Sequence, residues 1–215
     1  MTRLQVLTLV CGLASVGIVA ADPISITNTG ESAGTALPVG VTDPNYTLIS
    51  APAGVPLTAL TTSSNPAWVS NNSTTDWISP GTSGGTNWPV GNYDYQTTFS
   101  LAGLNPATAQ LSVSWASDNN GCIFLNGVNT GDCTAFAGFG SLTAFSITSG
   151  FTSGVNTLDF IVANGGTTPS PTGVFAEISG TASTVPEPSS LPLLLGFSFA
   201  GLLGMVLRRT RTSRA

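Results

Sequence analysis

The body of this chain carries the pattern of β-strands and no helical pattern. Between residues 22 and 185, no stretch repeats apolar residues at the 3.6-residue period of an amphipathic helix. Apolar and polar residues alternate instead, as they do in half-buried strands. The alternation predicts four buried faces: Tyr93, Tyr95, Thr97, Phe99 and Leu101; Leu111, Val113 and Trp115; Leu158, Phe160 and Val162; Val174, Ala176 and Ile178. The sequence therefore predicts an all-β fold.

A turn signal supports this prediction. Asn126-Gly127 separates two apolar runs, and this dipeptide suits a two-residue hairpin turn with positive φ at both positions. Further strands are predicted at residues 24–28, 46–50, 77–79 and 142–148, with a long loop over 81–89. About nine short strands in one domain are typical of a β-sandwich of jelly-roll type.

The distribution of charge excludes several functions. All five basic residues are arginines at the two ends of the chain, so residues 22–185 hold nine acids, no base and a formal charge of −9. Nucleic acid is therefore excluded as a partner of the body, because phosphate binding requires Lys and Arg. The chain has no His and no Lys, which removes Ser/His and Cys/His pairs, Schiff bases and His-ligated zinc. We expect a protein that is not an enzyme.

The N-terminus is typical of a secretory signal peptide. One arginine precedes an apolar run that extends to Val19 and is followed by small residues. We predict cleavage between Ala21 and Asp22, with cleavage after Ala20 as the nearest alternative. An uncleaved anchor is the other interpretation of the same segment.

A second apolar segment lies near the C-terminus. Residues 191–207 would extend about 26 Å as a helix, enough to cross a thin bilayer. Four arginines follow, and by the positive-inside rule they keep this end in the cytoplasm and the body outside. We divide the chain into a signal peptide (1–21), a β-sandwich domain (22–180), a linker (181–190), a transmembrane helix (191–207) and a basic cytoplasmic tail (208–215).

Directly before this span stands Val185-Pro186-Glu187-Pro188. Together with the apolar span and the terminal arginines, this stretch resembles the PEP-CTERM sorting signal of Gram-negative bacteria. The resemblance implies recognition by an exosortase, with removal of the tail, in an organism that makes extracellular polysaccharide. A plain single-span anchor behind a proline-stiffened linker is the alternative.

The body is similar to secreted bacterial domains of the galactose-binding-like jelly-roll type. The similarity is carried, in order, by the segments 43–48, 77–80, 91–95, 115–119 with Leu125-Asn126-Gly127, and 154–160. It implies a sandwich that binds sugars, sometimes with a structural calcium, and that is usually not catalytic. We expect Trp115 and Phe160 in the core, with a sugar-stacking platform as the alternative.

The cysteines and the acidic turns suggest a closed loop. Cys122 and Cys133 remain in the secreted product, and an oxidising compartment favours a disulfide worth about 3 kcal/mol. Oxygen-bearing side chains crowd the same region, and calcium prefers such ligands. We name Asp118, Asn120 and Asp132 as candidate calcium ligands, although Asx residues of this kind also form turns.

Aromatic side chains in loops are candidates for carbohydrate contact, because sugar faces stack on flat rings while amides bond the hydroxyls. The candidates are Trp68, Trp77, Trp88 and Asn126. A glycosidase would need two carboxylates about 5 to 9.5 Å apart, and the sequence singles out no such pair.

The combined prediction is an exported protein of the bacterial surface or extracellular matrix. Its sandwich either binds carbohydrate or is a structural component of a polysaccharide layer. A carboxylate-based glycan hydrolase and an adhesin without a small ligand are the alternatives.

Overall fold

The computed structural model describes residues 21–185 of the 215-residue chain. Its strands are β1 (Ala21–Pro23), β2 (Glu31–Ser32), β3 (Thr35–Ala36), β4 (Thr47–Ser50), β5 (Leu60–Thr61), β6 (Ile78–Ser79), β7 (Gly91–Ser100), β8 (Gln110–Asp118), β9 (Asn120–Leu125), β10 (Val128–Cys133), β11 (Thr143–Ile147), β12 (Val155–Asn164) and β13 (Gly173–Ser183). Two 3₁₀ turns cover Pro106–Thr108 and Gly138–Gly140.

The strands form two main antiparallel sheets. The first has the order β11-β8-β13-β6-β5, with β1 also paired to β13, and the second has the order β10-β9-β12-β7-β4. Strands β2 and β3 form a separate small hairpin. Side chains from both main sheets meet in one core. The predicted β-sandwich is confirmed.

The four predicted strand faces are buried in this core. On β7, for example, Tyr93 and Tyr95 are fully buried, while Asp94 and Gln96 on the other face remain partly exposed. Trp115 of β8 and Phe160 of β12 meet in the centre, with ring centroids 5.3 Å apart. Their predicted core position is confirmed. The core is built as the two-residue period of the strands requires.

The predicted hairpin and disulfide are also confirmed. Asn126 and Gly127 have φ angles of 52° and 77°, and they join β9 to β10. Cys122 and Cys133 lie opposite each other on these two strands and are bonded. The hairpin is thus closed at both ends, by the turn and by the bridge.

Replacing both cysteines by serine is expected to lower the free energy of unfolding by about 3 kcal/mol, because the bridge restricts the unfolded chain. Guanidinium unfolding followed by tryptophan fluorescence would measure the loss. Reductant should lower the midpoint of the wild-type protein to that of the double variant and leave the variant unchanged. Equal midpoints without reductant would contradict the prediction.

The predicted strand at residues 24–28 is wrong. The strand in this part of the chain is β1. Residues 24–29 run beside β13, where the amides of Ile24 and Thr29 donate to β13 carbonyls at 2.8 and 3.0 Å, and two side chains accept hydrogen bonds where a regular ladder would use carbonyls. The amides of Ile178 and Ala176 donate to Asn28 Oδ1 at 2.8 Å and to Thr29 Oγ1 at 2.9 Å. The segment is held to the sheet, but its own backbone does not form a regular ladder.

The predicted domain boundary at residue 180 is also wrong, because β13 continues to Ser183. Ala182 is buried, and the carbonyl of Ser183 accepts a hydrogen bond from the amide of Asn105 at 2.7 Å. The amide of Val185 donates to Gly103 O at 3.0 Å. The folded domain therefore extends to the first residue of the predicted sorting motif.

The two ends of the described chain lie together, since Ala21 pairs with Ser183 in the β1–β13 ladder. Within residues 21–185, no helix is long and apolar enough to cross a membrane. Three predicted features lie outside the described residues: residues 1–20 of the signal peptide, residues 186–188 of the sorting motif and the transmembrane segment (191–207).

Candidate functional site

A cleft of the described domain lies between the edge strands of the two sheets. It encloses about 300 Å³ between the β9–β10 hairpin and the end of β11. Its lining residues are Leu125, Val128, Asn129, Thr130, Asp132, Ser146, Ile147, Thr148, Ser149 and Gly150. A cleft of this volume is at the lower end of the range for small-molecule sites.

The cleft combines an apolar part with uncommitted polar groups. Leu125 and Ile147 are almost fully buried, and Val128, which is 69% exposed, supplies the accessible aliphatic surface. The polar lining residues are partly or fully exposed. Within residues 21–185, no side-chain hydrogen bond engages the carboxylate of Asp132 or the hydroxyls of Thr148 and Ser149. These groups are free to bind a polar ligand.

Asn126 was predicted to contact ligand, and the structure gives it a positioning role instead. Its Nδ2 donates to Gly150 O at 3.0 Å and to Asn156 Oδ1 at 2.9 Å, and its Oδ1 accepts from the Thr157 amide at 3.0 Å. Both ends of the amide are therefore occupied within the protein. Asn126 fixes the β9–β10 turn to Gly150 and so shapes one wall of the cleft.

Two of the three predicted tryptophan contacts are wrong. Trp77 is fully buried and Trp68 is 6% exposed, and their rings stack with centroids 4.2 Å apart. With Ala116 and Phe175 they form a second, smaller core on the outer face of the first sheet. Neither ring offers a face to a sugar.

Trp88 is half-buried and does not line the cleft. Its ring lies over Gly81, where a Cβ atom would come within 2.7 Å of the indole. Its backbone pairs with Ser170 in both directions, at 2.8 and 3.1 Å. The arrangement makes Trp88 mainly a packing residue.

Asp118 is part of the buried framework. Its carboxylate accepts hydrogen bonds from Trp68 Nε1 at 2.7 Å and from Asn119 Nδ2 at 2.8 Å. Burial raises the pKa of Asp118 to about 6, although the bond from Trp68 acts in the opposite direction. The carboxylate thus anchors the Trp68 loop to the end of β8.

The predicted calcium ligands do not converge. Asp118 is engaged as described, Asn120 lies on the same face of β9 as Cys122, and Asp132 lines the cleft. Among residues 21–185 no group of three or more acidic or cysteine side chains could hold a metal ion. This set does not fit calcium, and calcium binding by the chain stays a prediction without an assigned site.

Two carboxylates lie diagonally across neighbouring strands on the outer side of the second sheet. Asp94 and Asp159 lie on the paired strands β7 and β12, and Gln96 Nε2 donates to Asp159 Oδ1 at 2.7 Å. Burial, and then the charge of Asp159, raises the pKa of Asp94 to about 6. These residues lie outside the cleft.

Sequence reasoning missed most of the site. The cleft residues of β10 and β11 belong to different sheets, so no local pattern marks them as neighbours. The sequence also did not single out Phe136, which lies outside the cleft and is the one large aromatic side chain among residues 21–185 that is more than half exposed, at 57%. Its ring lies against Gly165, where a Cβ atom would come within 2.7 Å. Small residues around Phe136 in the sequence were the available signal.

No protein-family model matches this chain, and no curated protein matches it. Among solved structures, a family 35 carbohydrate binding module from an environmental isolate matches 66% of this chain and 98% of its own, with 11% identity and a TM-score of 0.35. A CBM35 from Paenibacillus barcinonensis matches 67% and 93%, with 14% identity and a TM-score of 0.30. At this similarity the two structures identify neither a ligand nor a site in this chain.

Proposed function

We propose that the chain is an exported surface or extracellular-matrix protein of a Gram-negative bacterium, and that its sandwich, of the galactose-binding-like type, binds carbohydrate in the cleft between β10 and β11. The observation that carries the proposal is the composition of this cleft. Hydroxyl, amide and carboxylate groups lie beside the exposed aliphatic side chain of Val128, and a sugar presents hydroxyls at its rim and C–H groups on its faces. The absence of Lys and Arg from residues 22–185 favours a ligand without negative charge.

Filling the cleft is expected to abolish binding. Ser149 is exposed and lines the cleft, so Ser149→Trp should occlude it without disturbing the core. Ser153→Trp, at an exposed position outside the cleft, is the matched control. We expect the full chain in detergent to bind members of a glycan array, the control to bind equally, and Ser149→Trp to bind at least about tenfold more weakly. Equal binding by both variants would contradict the assignment of the cleft.

The proposal includes sorting by an exosortase at Val185-Pro186-Glu187-Pro188, after membrane anchoring by the C-terminal segment. A precursor that is held in the membrane by an apolar segment at each end requires both ends of its folded domain to lie on the same side. The pairing of Ala21 with Ser183 meets this requirement and so supports the proposal. Intact mass of the protein from its native host tests the sorting. A product from Asp22 to residues 186–188 is expected, and retention of Arg214 and Ala215 would contradict it.

The carboxylate pair Asp94 and Asp159 gives the hydrolase alternative a specific test. Glycan turnover that is lost in both Asp94→Asn and Asp159→Asn would favour the hydrolase over a binding protein. Absence of both turnover and glycan binding would favour the adhesin or structural component.

A further inference from the structure

We propose that the cleft prefers sugars that carry a free, protonated amine, and that Asp132 is the residue that determines this preference. The proposal rests on the proposed function, because it names the class of carbohydrate that the same cleft takes. It follows from the charge and the free carboxylate of one side chain, and from the fixed backbone that carries it.

Asp132 is the only charged residue of the cleft lining, and no basic residue exists between residues 22 and 185. An ammonium group on the ligand would therefore meet a carboxylate with no competing cation from the described domain. A uronic acid or a sulfated sugar would meet only repulsion there. Neutral sugars would bind through hydroxyls, without the stronger charge-assisted hydrogen bond.

The carboxylate of Asp132 is uncommitted, unlike several other acids of the domain. The carboxylate of Asp43 accepts hydrogen bonds from three backbone amides, and that of Asp118 accepts hydrogen bonds from the side chains of Trp68 and Asn119. No hydrogen bond within residues 21–185 reaches the carboxylate of Asp132. Its two oxygens are therefore available to accept hydrogen bonds from a ligand.

The backbone that carries Asp132 is held in place. The amide of Asp132 donates to Thr130 Oγ1 at 3.2 Å, and this hydroxyl donates to Ile123 O at 3.0 Å. The next residue is Cys133, which is bonded to Cys122 on β9. A carboxylate on a fixed backbone loses less conformational freedom when it binds, which strengthens the discrimination between ligands.

The experiment compares two short oligosaccharides that differ only in acetylation, a glucosamine oligomer and an N-acetylglucosamine oligomer. Calorimetry uses the full chain in detergent with a calcium chelator, at about pH 6, where the amine is protonated. We expect the free amine to bind about tenfold more tightly than the acetylated form, as one charge-assisted hydrogen bond provides. A uronic acid oligomer should bind more weakly than either.

Three variants separate the effect of the Asp132 carboxylate on this preference from the effect of the protein's net charge. Asp132→Asn is expected to reduce the ratio of the two affinities to about one, while Asp132→Glu retains the preference. Glu177→Gln removes the same charge outside the cleft and should leave the ratio unchanged. Unfolding midpoints confirm that each variant is folded.

The outcomes distinguish this inference from the proposed function. If the wild type binds both oligosaccharides equally, if Asp132→Asn keeps the preference, or if Glu177→Gln also loses it, the inference is overturned and carbohydrate binding stands. Tighter binding of the uronic acid overturns it in the same way. If no sugar of the array binds, the proposed function itself fails.

Discussion

Lowering the pH from about 7.5 to about 5 is expected to make this protein more stable, which is the reverse of ordinary acid denaturation. The reason lies in carboxyls that the fold buries without a cation. Burial raises the pKa of Asp76 and of Asp118 from 3.8 to about 6, and both side chains are 6% exposed. Asp94 shifts in the same direction. At neutral pH the folded protein must keep these buried groups ionised.

The sign of the effect follows from proton binding. In the unfolded chain these groups titrate near pH 4, so between about pH 4 and pH 6 the folded protein binds more protons than the unfolded chain. Stability therefore rises as the pH falls through this window. Between pH 7.5 and pH 5, which is one unit below the shifted pKa, Asp76 and Asp118 should contribute about 1.4 kcal/mol each. The formal charge of −9 on residues 22–185 adds a repulsion that acidification also relieves.

Denaturant unfolding at several pH values measures this effect. Added salt separates the cost of burying ionised carboxylates from the long-range repulsion of the net charge. In about 1 M salt the long-range repulsion is screened, whereas the cost of burying Asp76 and Asp118 remains. Asp76→Asn, which cannot ionise, should be about 2 kcal/mol more stable than the wild type at pH 7.5 and should gain less from acid. A wild-type denaturant midpoint that is lower at pH 5 than at pH 7.5 would contradict the prediction.

The strands were predictable because their signal is local. The two-residue alternation around Tyr93, Trp115 and Phe160 depends only on which face of a strand is buried, and each of these faces points into the core. The Asn126-Gly127 turn and the bridge between Cys122 and Cys133 also involve segments close in sequence. These features needed no knowledge of the tertiary arrangement.

The remaining features depend on how distant segments pack. Trp68 and Trp77 looked like loop aromatics, but their loop covers the outer face of the first sheet and buries them. Phe175 was the available signal, since an apolar residue on the polar face of β13 requires a cover. The cleft had no such signal, because β10 and β11 belong to different sheets and meet only at their edges.

Asn164 illustrates a buried residue whose importance no sequence pattern indicated. It lies at the end of β12 and is 1% exposed. Its Nδ2 lies 2.9 Å from Trp88 O, 3.1 Å from Pro89 O and 3.0 Å from Ser170 O. Its Oδ1 accepts the hydroxyl of Ser170 at 2.7 Å. One amide group therefore joins the loop before β7 to the loop after β12.

Asn164→Asp is expected to lower the free energy of unfolding by at least about 4 kcal/mol at pH 7.5, because it places a carboxylate oxygen against three carbonyl oxygens and removes the amide donor that they share. Asn164→Ala removes the donor without adding a charge and should lose less. Guanidinium unfolding of both variants measures the difference.

The pH dependence gives this prediction its control. Protonation of the new carboxylate at about pH 5 restores one hydrogen-bond donor in Asn164→Asp. The loss in free energy of unfolding relative to the wild type should therefore shrink for Asn164→Asp and stay constant for Asn164→Ala. Asn105→Asp is the matched substitution at an exposed turn, where Asn105 Oδ1 only accepts the amide of Ala107 at 3.0 Å. An aspartate serves that role equally well, so its effect should stay within about 0.5 kcal/mol. If Asn164→Asp were as mild as Asn105→Asp at pH 7.5, the amide of Asn164 would add little to the backbone pairing of Trp88 with Ser170 that also joins these two loops.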